Sequence, residues 1–310
     1  MKAIQLHTFE GVSALIELDV PRPIPANNEV LVRVHGVGVT PSEMQWYTTS
    51  HTKSGARREH AIPGHEFSGV ITDVGAAVVG ISIGDEIYGM NDWFADGGAA
   101  EYCLTEPANI APKPRTLTHA MAASVPISAL TAWQALFDHA KLKSGEKILV
   151  LGGTGGVGLF GVQLAHARGA VVSSTVSSLN LQFVRQLGAD EALDYSASPF
   201  EGRSQEFDVI FDTVGGETLA KSWSLLKDSG RMVTIATESE GTGDLRTKNA
   251  FFIVETKSDQ LVEIARLLDS GSLMAMVNAV VPFEEGPAAF DGQITEKRGI
   301  GKVVVSVLPD

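Results

Sequence analysis

The stretch Lys147-Ile-Leu-Val-Leu-Gly-Gly-Thr-Gly-Gly-Val-Gly158 constrains this chain more than any other. A β-favouring run enters glycines spaced Gly153-x-Gly155-x-x-Gly158, and Leu159 to His166 continues with the spacing of an amphipathic helix. Strand, tight glycine turn, then helix is the arrangement that holds a dinucleotide pyrophosphate. The first glycine permits the sharp turn, the second lets backbone approach the phosphates, and the third lets helix and strand pack closely. The helix start adds unpaired N–H groups and a partial positive charge. Gly153, Gly155, Gly156, Val157 and Gly158 are therefore the expected pyrophosphate contacts.

At 310 residues the chain is long for one core and natural for two. A net charge of −13 argues against non-specific binding to nucleic acid or an anionic membrane surface, and no basic cluster offsets it. Cys103 is the only cysteine, so no intramolecular disulfide forms, which fits a reducing compartment. It lies in a β-like run and reads as a small core residue. Met1 to His7 lacks the pattern of a secretory signal, and no apolar run is long enough to span a bilayer. Cytoplasm is the expected location.

Residues 1 to 117 hold short β-like runs broken by Gly, Pro and Asn, such as Glu29–His35, Phe67–Val74 and Asp85–Tyr88. Many short strands with turn signals imply a barrel or sandwich. The texture changes near Leu117. Thr118 to Ala140 has helical spacing with Thr118 as a plausible N-cap. Strands then alternate with helices: Ile148–Leu151, Val171–Val176, Glu191–Asp194, Phe207–Asp212, Arg231–Ala236 and Phe251–Val254 are the predicted strands. Alternation of this kind predicts an α/β fold with a doubly wound parallel sheet. Val303–Val307 is a β run again, placed to return to the first domain.

At this point the chain resembles a family, the medium-chain dehydrogenase/reductase superfamily, and within it the zinc-free quinone oxidoreductase and enone reductase branch. The resemblance covers essentially the whole length. It rests on Ile62-Pro-Gly-His-Glu-Phe-Ser-Gly69, Gly84-Asp-Glu-Ile-Tyr-Gly89, Gly97-Gly-Ala-Ala-Glu-Tyr102, Ala129-Leu-Thr-Ala-Trp133, the glycine turn, Leu187-Gly-Ala-Asp190, Asp212-Thr-Val-Gly-Gly216 and Gly301-Lys-Val-Val304. It implies a GroES-like β-barrel catalytic domain over 1–117 with a return segment over 271–310, and a Rossmann domain over 118–270. It also implies a cofactor in the cleft between them, and a homodimer.

Zinc-using relatives hold a catalytic zinc with a Cys in the first motif, the His of Gly-His-Glu and a later Cys. Here Thr40 of Gly38-Val-Thr-Pro-Ser-Glu43 takes the first position, and Val125 to Trp133 has no cysteine. Only His65 and Glu66 remain, too few for a tetrahedral zinc site, so no metal is expected and both residues read as buried structural polar groups.

A carboxylate about 20 residues past the glycine turn usually takes the ribose of NAD. After Val171-Val-Ser-Ser-Thr-Val176 come Ser177 and Ser178 instead. The hydroxyls of Thr175, Ser177 and Ser178 suit a 2′-phosphate, which favours NADPH. The family's usual cation in the next helix is missing from Leu179-Asn-Leu-Gln182, and Arg185 is the nearest one. The resemblance further implies cofactor contacts at Thr131, Tyr195, Thr213, Val214, Phe252 and Lys302, although Lys302 also reads as a plain surface charge.

No catalytic triad, P-loop lysine or paired-carboxylate motif stands out. Without a metal to polarise a carbonyl, alcohol oxidation loses its usual Lewis acid. Hydride transfer to a quinone or an α,β-unsaturated carbonyl fits better, because the protein then supplies orientation, exclusion of water and hydrogen bonds to an enolate oxygen. Thr40 and Tyr47 are the expected catalytic residues on the substrate wall; Tyr47 is either a donor or a packing aromatic. Two other functions stay open from sequence, a zinc-type alcohol dehydrogenase and a non-catalytic NADPH-binding sensor or scaffold protein.

Overall fold

The computed structural model describes residues 1–9, 12–40, 43, 46–197, 200–294 and 299–308. Pro41 and Ser42 of the loop motif, and residues 295–298 of the expected return segment, lie outside that set. The chain forms two compact units: Met1–Ile127 with Thr256–Gly271 and Ala275–Asp310, and Ser128–Glu255 with Ser272–Met274.

In chain order the first unit opens with β1 (Lys2–Phe9), β2 (Val12–Asp19), β3 (Val30–Gly38), α1 (Tyr47–Ser50), β4 (Glu66–Val74), β5 (Glu86–Met90), β6 (Tyr102–Thr105), β7 (Ile110–Pro112), α2 (His119–Ala123) and the start of α3 (Pro126–Trp133). The second unit contains β8 (Lys147–Leu151), α4 (Gly156–Ala167), β9 (Val171–Val176), α5 (Leu181–Gln186), β10 (Glu191–Asp194), β11 (Phe207–Asp212), α6 (Gly216–Ser222), β12 (Leu226–Thr234) and α7 (Leu245–Ala250). The chain then returns to the first unit through α8 (Ser258–Asp269), β13 (Val277–Pro282), α9 (Gly286–Phe290) and β14 (Lys302–Ser306).

β1 and β2 pair antiparallel, and a larger sheet runs β13-β14-β3-β4-β5-β7 with β6 also on β3. β3 is the key strand. Its partner register on β4 shifts between Val34 and Gly36. Before the shift the even positions Val30, Val32 and Val34 pack with Phe67, Ile71 and Cys103. After it the odd positions Val37 and Val39 join a different cluster with Ile4 and Phe290. One extra residue in a strand exchanges its faces in this way. The terminal β14 pairs antiparallel with the end of β3, so Lys302 lands near Thr40.

The helical spacing over 118–140 resolves into separate pieces. Thr118 caps α2 by accepting the Met121 N–H, an interaction typically worth about 1 kcal/mol. Pro126 then starts α3, where its missing N–H costs nothing. Residues 134–139 continue as a π-helical stretch. The unit boundary lies past the change of texture at Leu117, because α2 packs on the first unit, with His119 Nδ1 and Ser68 Oγ 2.8 Å apart. Thr256–Gly271 also belongs to that unit: Tyr88 donates its hydroxyl to the Leu261 carbonyl at 2.6 Å.

The second unit is built on an all-parallel sheet ordered β10-β9-β8-β11-β12. From central β8 the chain winds outward through α4 to β9 and β10, then returns to the other side at β11. Ligands of such sheets bind where the winding reverses, at the strand C-termini. The strand expected at Phe251–Val254 does not form. Phe251 makes a single bridge to Thr234, and beyond it the side-chain amide of Gln134 captures both the N–H and the carbonyl of Glu255.

Candidate active site

In the second unit the chain leaves β8 through Gly152, whose φ of +82° is the left-handed conformation that glycine adopts without strain. The sharp turn therefore falls on Gly152, one residue before the glycine assigned to it from sequence. Its N–H donates to Thr175 Oγ1 at 3.0 Å, and Gly153 N–H donates to the Thr175 carbonyl at 3.0 Å. Thr175 is buried and acts on the loop rather than facing outward. A Cβ on Gly153 would strike Ser174 Oγ, and one on Gly158 would strike the Gly152 carbonyl oxygen. These two glycines serve the packing of loop, sheet and α4.

Gly155 differs. It is exposed, its φ of −71° is ordinary, and the nearest atom to a Cβ there is 3.4 Å away. Gly155 caps α4, whose first-turn N–H groups, around Gly156, Val157 and Gly158, lack intrahelical acceptors. No acidic residue occupies that first turn. An open, donor-lined surface at a helix N-terminus fits a pyrophosphate.

The other residues expected at this end of the sheet gather there. Thr213 donates its hydroxyl to the Leu151 carbonyl at 2.7 Å, tying β11 to the root of the glycine loop. Val214 is exposed beside it, over the Asp212 carboxylate, which accepts the Val214 and Gly215 N–H groups and the Thr234 hydroxyl. Burial raises the Asp212 pKa, against those hydrogen bonds. Past β9, Ser177 is half-buried and Ser178 exposed, and Tyr195 is tethered by its N–H to the Val176 carbonyl with its ring exposed. Directly past β9 the chain offers the Ser177 and Ser178 hydroxyls in place of a carboxylate, which suits a phosphate better than a ribose diol, while Asp194 on neighbouring β10 is engaged by the Ser196 N–H and hydroxyl. Asn180, unnoticed in the sequence, reaches Thr154 of the glycine loop at 3.4 Å. Thr131 is buried on α3, and Phe252 is buried against His139 with ring centroids 4.3 Å apart.

In the first unit, the end of β3 and the Gly-His-Glu segment build a buried charge cluster. His65 is fully buried; its Nδ1 lies 2.5 Å from Glu43 Oε1 and its Nε2 3.1 Å from the Ala95 carbonyl. Both ring nitrogens thus face acceptors, the arrangement of an imidazolium. Burial works against that charge, but the Glu43 carboxylate and the Ala95 carbonyl outweigh it, so the His65 pKa is raised. Glu43 also accepts the Gly64 N–H at 2.8 Å.

Glu66, fully buried too, accepts the Ile127 N–H at 3.0 Å with one oxygen and the Lys302 ammonium with the other. Gly38 makes this possible, since a Cβ there would lie 2.5 Å from Glu66 Oε1. Lys302 Nζ also donates to Thr40 Oγ1 at 3.0 Å. Burial presses the ammonium down to about 7 while the Glu43 carboxylate pulls the other way, and direct contact with Glu66 likewise favours the charged form. Sequence reasoning placed Lys302 beside the cofactor and missed these partners. The one available signal for Glu43 was a carboxylate three positions past Thr40, in the loop that faces Gly-His-Glu.

A tetrahedral zinc does not fit this donor set. Thr40 is a weak ligand, His65 Nε2 is committed to a carbonyl, and Glu66 to an ammonium and an amide. No group of three or more His, Cys, Asp or Glu side chains able to hold a metal occurs among the described residues. Tyr47 is exposed on α1, its ring stacked on His51 at 4.2 Å. Trp93 packs edge-on against Trp46 and beside His65. Cys103 is buried in the strand core, where burial pushes its thiol far above the usual range.

Two family models match: the alcohol dehydrogenase GroES-like domain over residues 26–122, and the zinc-binding dehydrogenase family over residues 187–305. A probable zinc-binding oxidoreductase, mitochondrial, from Arthroderma benhamiae is 32% identical, over 93% of this chain and 92% of its own. An NADPH-dependent alkenal/one oxidoreductase, chloroplastic, from Arabidopsis thaliana is 31% identical over 100% of this chain and 80% of its own. Among solved structures, the quinone oxidoreductase from Coxiella burnetii superposes with a TM-score of 0.87 at 27% identity, covering 99% of each chain.

Proposed function

Because the chain belongs to the medium-chain dehydrogenase/reductase superfamily, on its quinone and enone reductase branch, we propose that it reduces a quinone or an α,β-unsaturated carbonyl with NADPH and without a catalytic metal. The observation that carries this reading is that His65 and Glu66, the side chains left at the metal positions, direct their polar atoms to protein partners. A simple alcohol or aldehyde needs a polarising cation at its oxygen. A conjugated carbonyl already offers an electron-poor carbon.

Bound NADPH would supply the hydride for the β-carbon of the substrate, which would leave negative charge on the carbonyl oxygen and an α-carbon for solvent to protonate. The protein's part is binding, orientation and charge stabilisation. Gly156 and Val157 hold the pyrophosphate by backbone N–H groups, with Gly155, whose own N–H is spent on the Gly152 carbonyl, leaving it room to approach and Thr175 keeping the loop in shape. Ser177, Ser178 and Tyr195 take the 2′-phosphate. Thr131, Thr213, Val214 and Phe252 complete the cofactor contacts. Thr40 and Tyr47 donate hydrogen bonds to the substrate.

The reading includes a homodimer and a cytoplasmic location. The first rests on family resemblance, the second on the single cysteine; among the described residues no helix is long and apolar enough to cross a membrane. A panel of quinones, alkenals and simple aldehydes tests the function, followed by loss of reduced-cofactor absorbance. Quinone or alkenal turnover, faster with NADPH than NADH, is the expected outcome. Turnover of simple aldehydes alone contradicts it, as does tight NADPH binding with no turnover of any compound.

A further inference from the structure

We propose that Lys302 is a positioning residue that makes the Thr40 hydroxyl an obligate donor toward the substrate oxygen, the chain's own replacement for a Lewis acid. The inference rests on the reductase reading and deepens it. An ammonium has hydrogens to give and no lone pair to accept with, whereas a hydroxyl does both. Lys302 Nζ sits 3.0 Å from Thr40 Oγ1, so Thr40 accepts in that bond and its single O–H points elsewhere. Thr40 is half-buried rather than sealed. A hydroxyl polarised by a cation and aimed at developing negative charge is an oxyanion-stabilising device.

The ammonium is itself held in place. Glu66 grips it with one oxygen and is anchored through the other to the Ile127 N–H at 3.0 Å. Gly38 leaves the space that the Glu66 carboxylate fills. Glu43 and His65 form a second buried pair beside it, and Glu43 Oε2 has no hydrogen-bond partner among the described residues. The four charges balance as two acids and two cations. Nothing here requires Lys302 to reach the cofactor.

The test compares wild type, Thr40→Val, Thr40→Ser, the paired change Lys302→Met with Glu66→Gln, and the triple variant combining that pair with Thr40→Val. The paired change leaves no lone buried carboxylate, so the fold is retained. Two quantities are read: kcat for the best substrate with NADPH, and, on NADP-bound protein, the affinity of a substituted phenol as phenolate against phenol, the phenolate standing for the enolate oxygen. Removing one oxyanion donor typically lowers kcat by about 100-fold or more. Thr40→Val and the paired change should each lower kcat by roughly that factor and reduce the phenolate preference about tenfold, with NADPH affinity within about twofold. The triple variant should be no worse than either, since the two groups act as one unit. Thr40→Ser should recover most of the rate.

Losses that multiply in the triple variant overturn the proposal. So does weakened NADPH binding with unchanged kcat in the paired variant, which would assign Lys302 to the cofactor. A phenolate preference indifferent to both changes overturns it as well. Should wild type turn over no compound while its phenolate preference still depends on Thr40 and Lys302, the reductase reading fails and the positioning role stands.

Discussion

Replacing Gly155 by alanine separates what the glycine loop does for the fold from what it does for a ligand. A Cβ there meets open space, with Gly152 O at 3.4 Å, and φ of −71° suits any residue. Alanine is a poorer N-cap than glycine by up to about 1 kcal/mol. It also restricts the unfolded chain, which returns about 0.4–1 kcal/mol. Stability should therefore stay within about 0.5 kcal/mol of wild type. The added methyl nevertheless stands on the surface assigned to the pyrophosphate. Losing one charge-assisted hydrogen bond costs about 1.5–3 kcal/mol, or roughly ten- to hundredfold in Kd. Gly158→Ala is the counterpart: its Cβ would run into the Gly152 carbonyl, so stability should drop by about 1–3 kcal/mol. Isothermal titration with NADPH and denaturant unfolding give both numbers. Gly155→Ala binding NADPH as wild type does would refute the placement of the pyrophosphate; Gly155→Ala unfolding as readily as Gly158→Ala would refute the packing argument.

Other outcomes follow from the same geometry. Ser178→Asp puts a carboxylate at the exposed end of β9 and should move the ratio of kcat/KM for NADPH over NADH toward NADH by about tenfold or more, since an anion there repels a 2′-phosphate; an unchanged ratio removes Ser178 from the cofactor site. The Glu43–His65 pair should make stability depend on pH. The folded-state pKa of His65 lies above the ordinary 6.5, so its stabilisation is complete below that value and is lost as pH rises through the raised one. In Glu43→Gln, burial without a partner lowers that pKa instead. The advantage in Tm of wild type over Glu43→Gln should therefore shrink from pH 6 to pH 9. A constant difference would mean that the pair is not ionised.

The architecture was readable because its signals are local. The glycine loop, the alternation of short strands and helices after it, and the capping Thr118 each act within a few residues. The errors arose where distant groups compete. Pro126 divides a stretch whose apolar spacing is continuous, and Gln134 draws Glu255 away from a strand that Phe251–Val254 has the composition to form. The sharp turn slid from Gly153 to Gly152 because adjacent glycines are indistinguishable until Thr175 selects one N–H to bond. The charge cluster was the least legible part: Lys302 meets Glu66 across 236 residues, and only the pairing of β14 with β3 brings them together.

Deuterium transfer in metal-stripped protein addresses the central claim most directly. The protein is dialysed against a strong chelator, checked for metal, and given NADPH deuterated at the transferred C4 position with an α,β-unsaturated ketone. The account predicts undiminished turnover and a saturated ketone carrying one deuterium at the β-carbon. Deuterium on the carbonyl carbon of an alcohol, or turnover that returns only when zinc is restored, would contradict it.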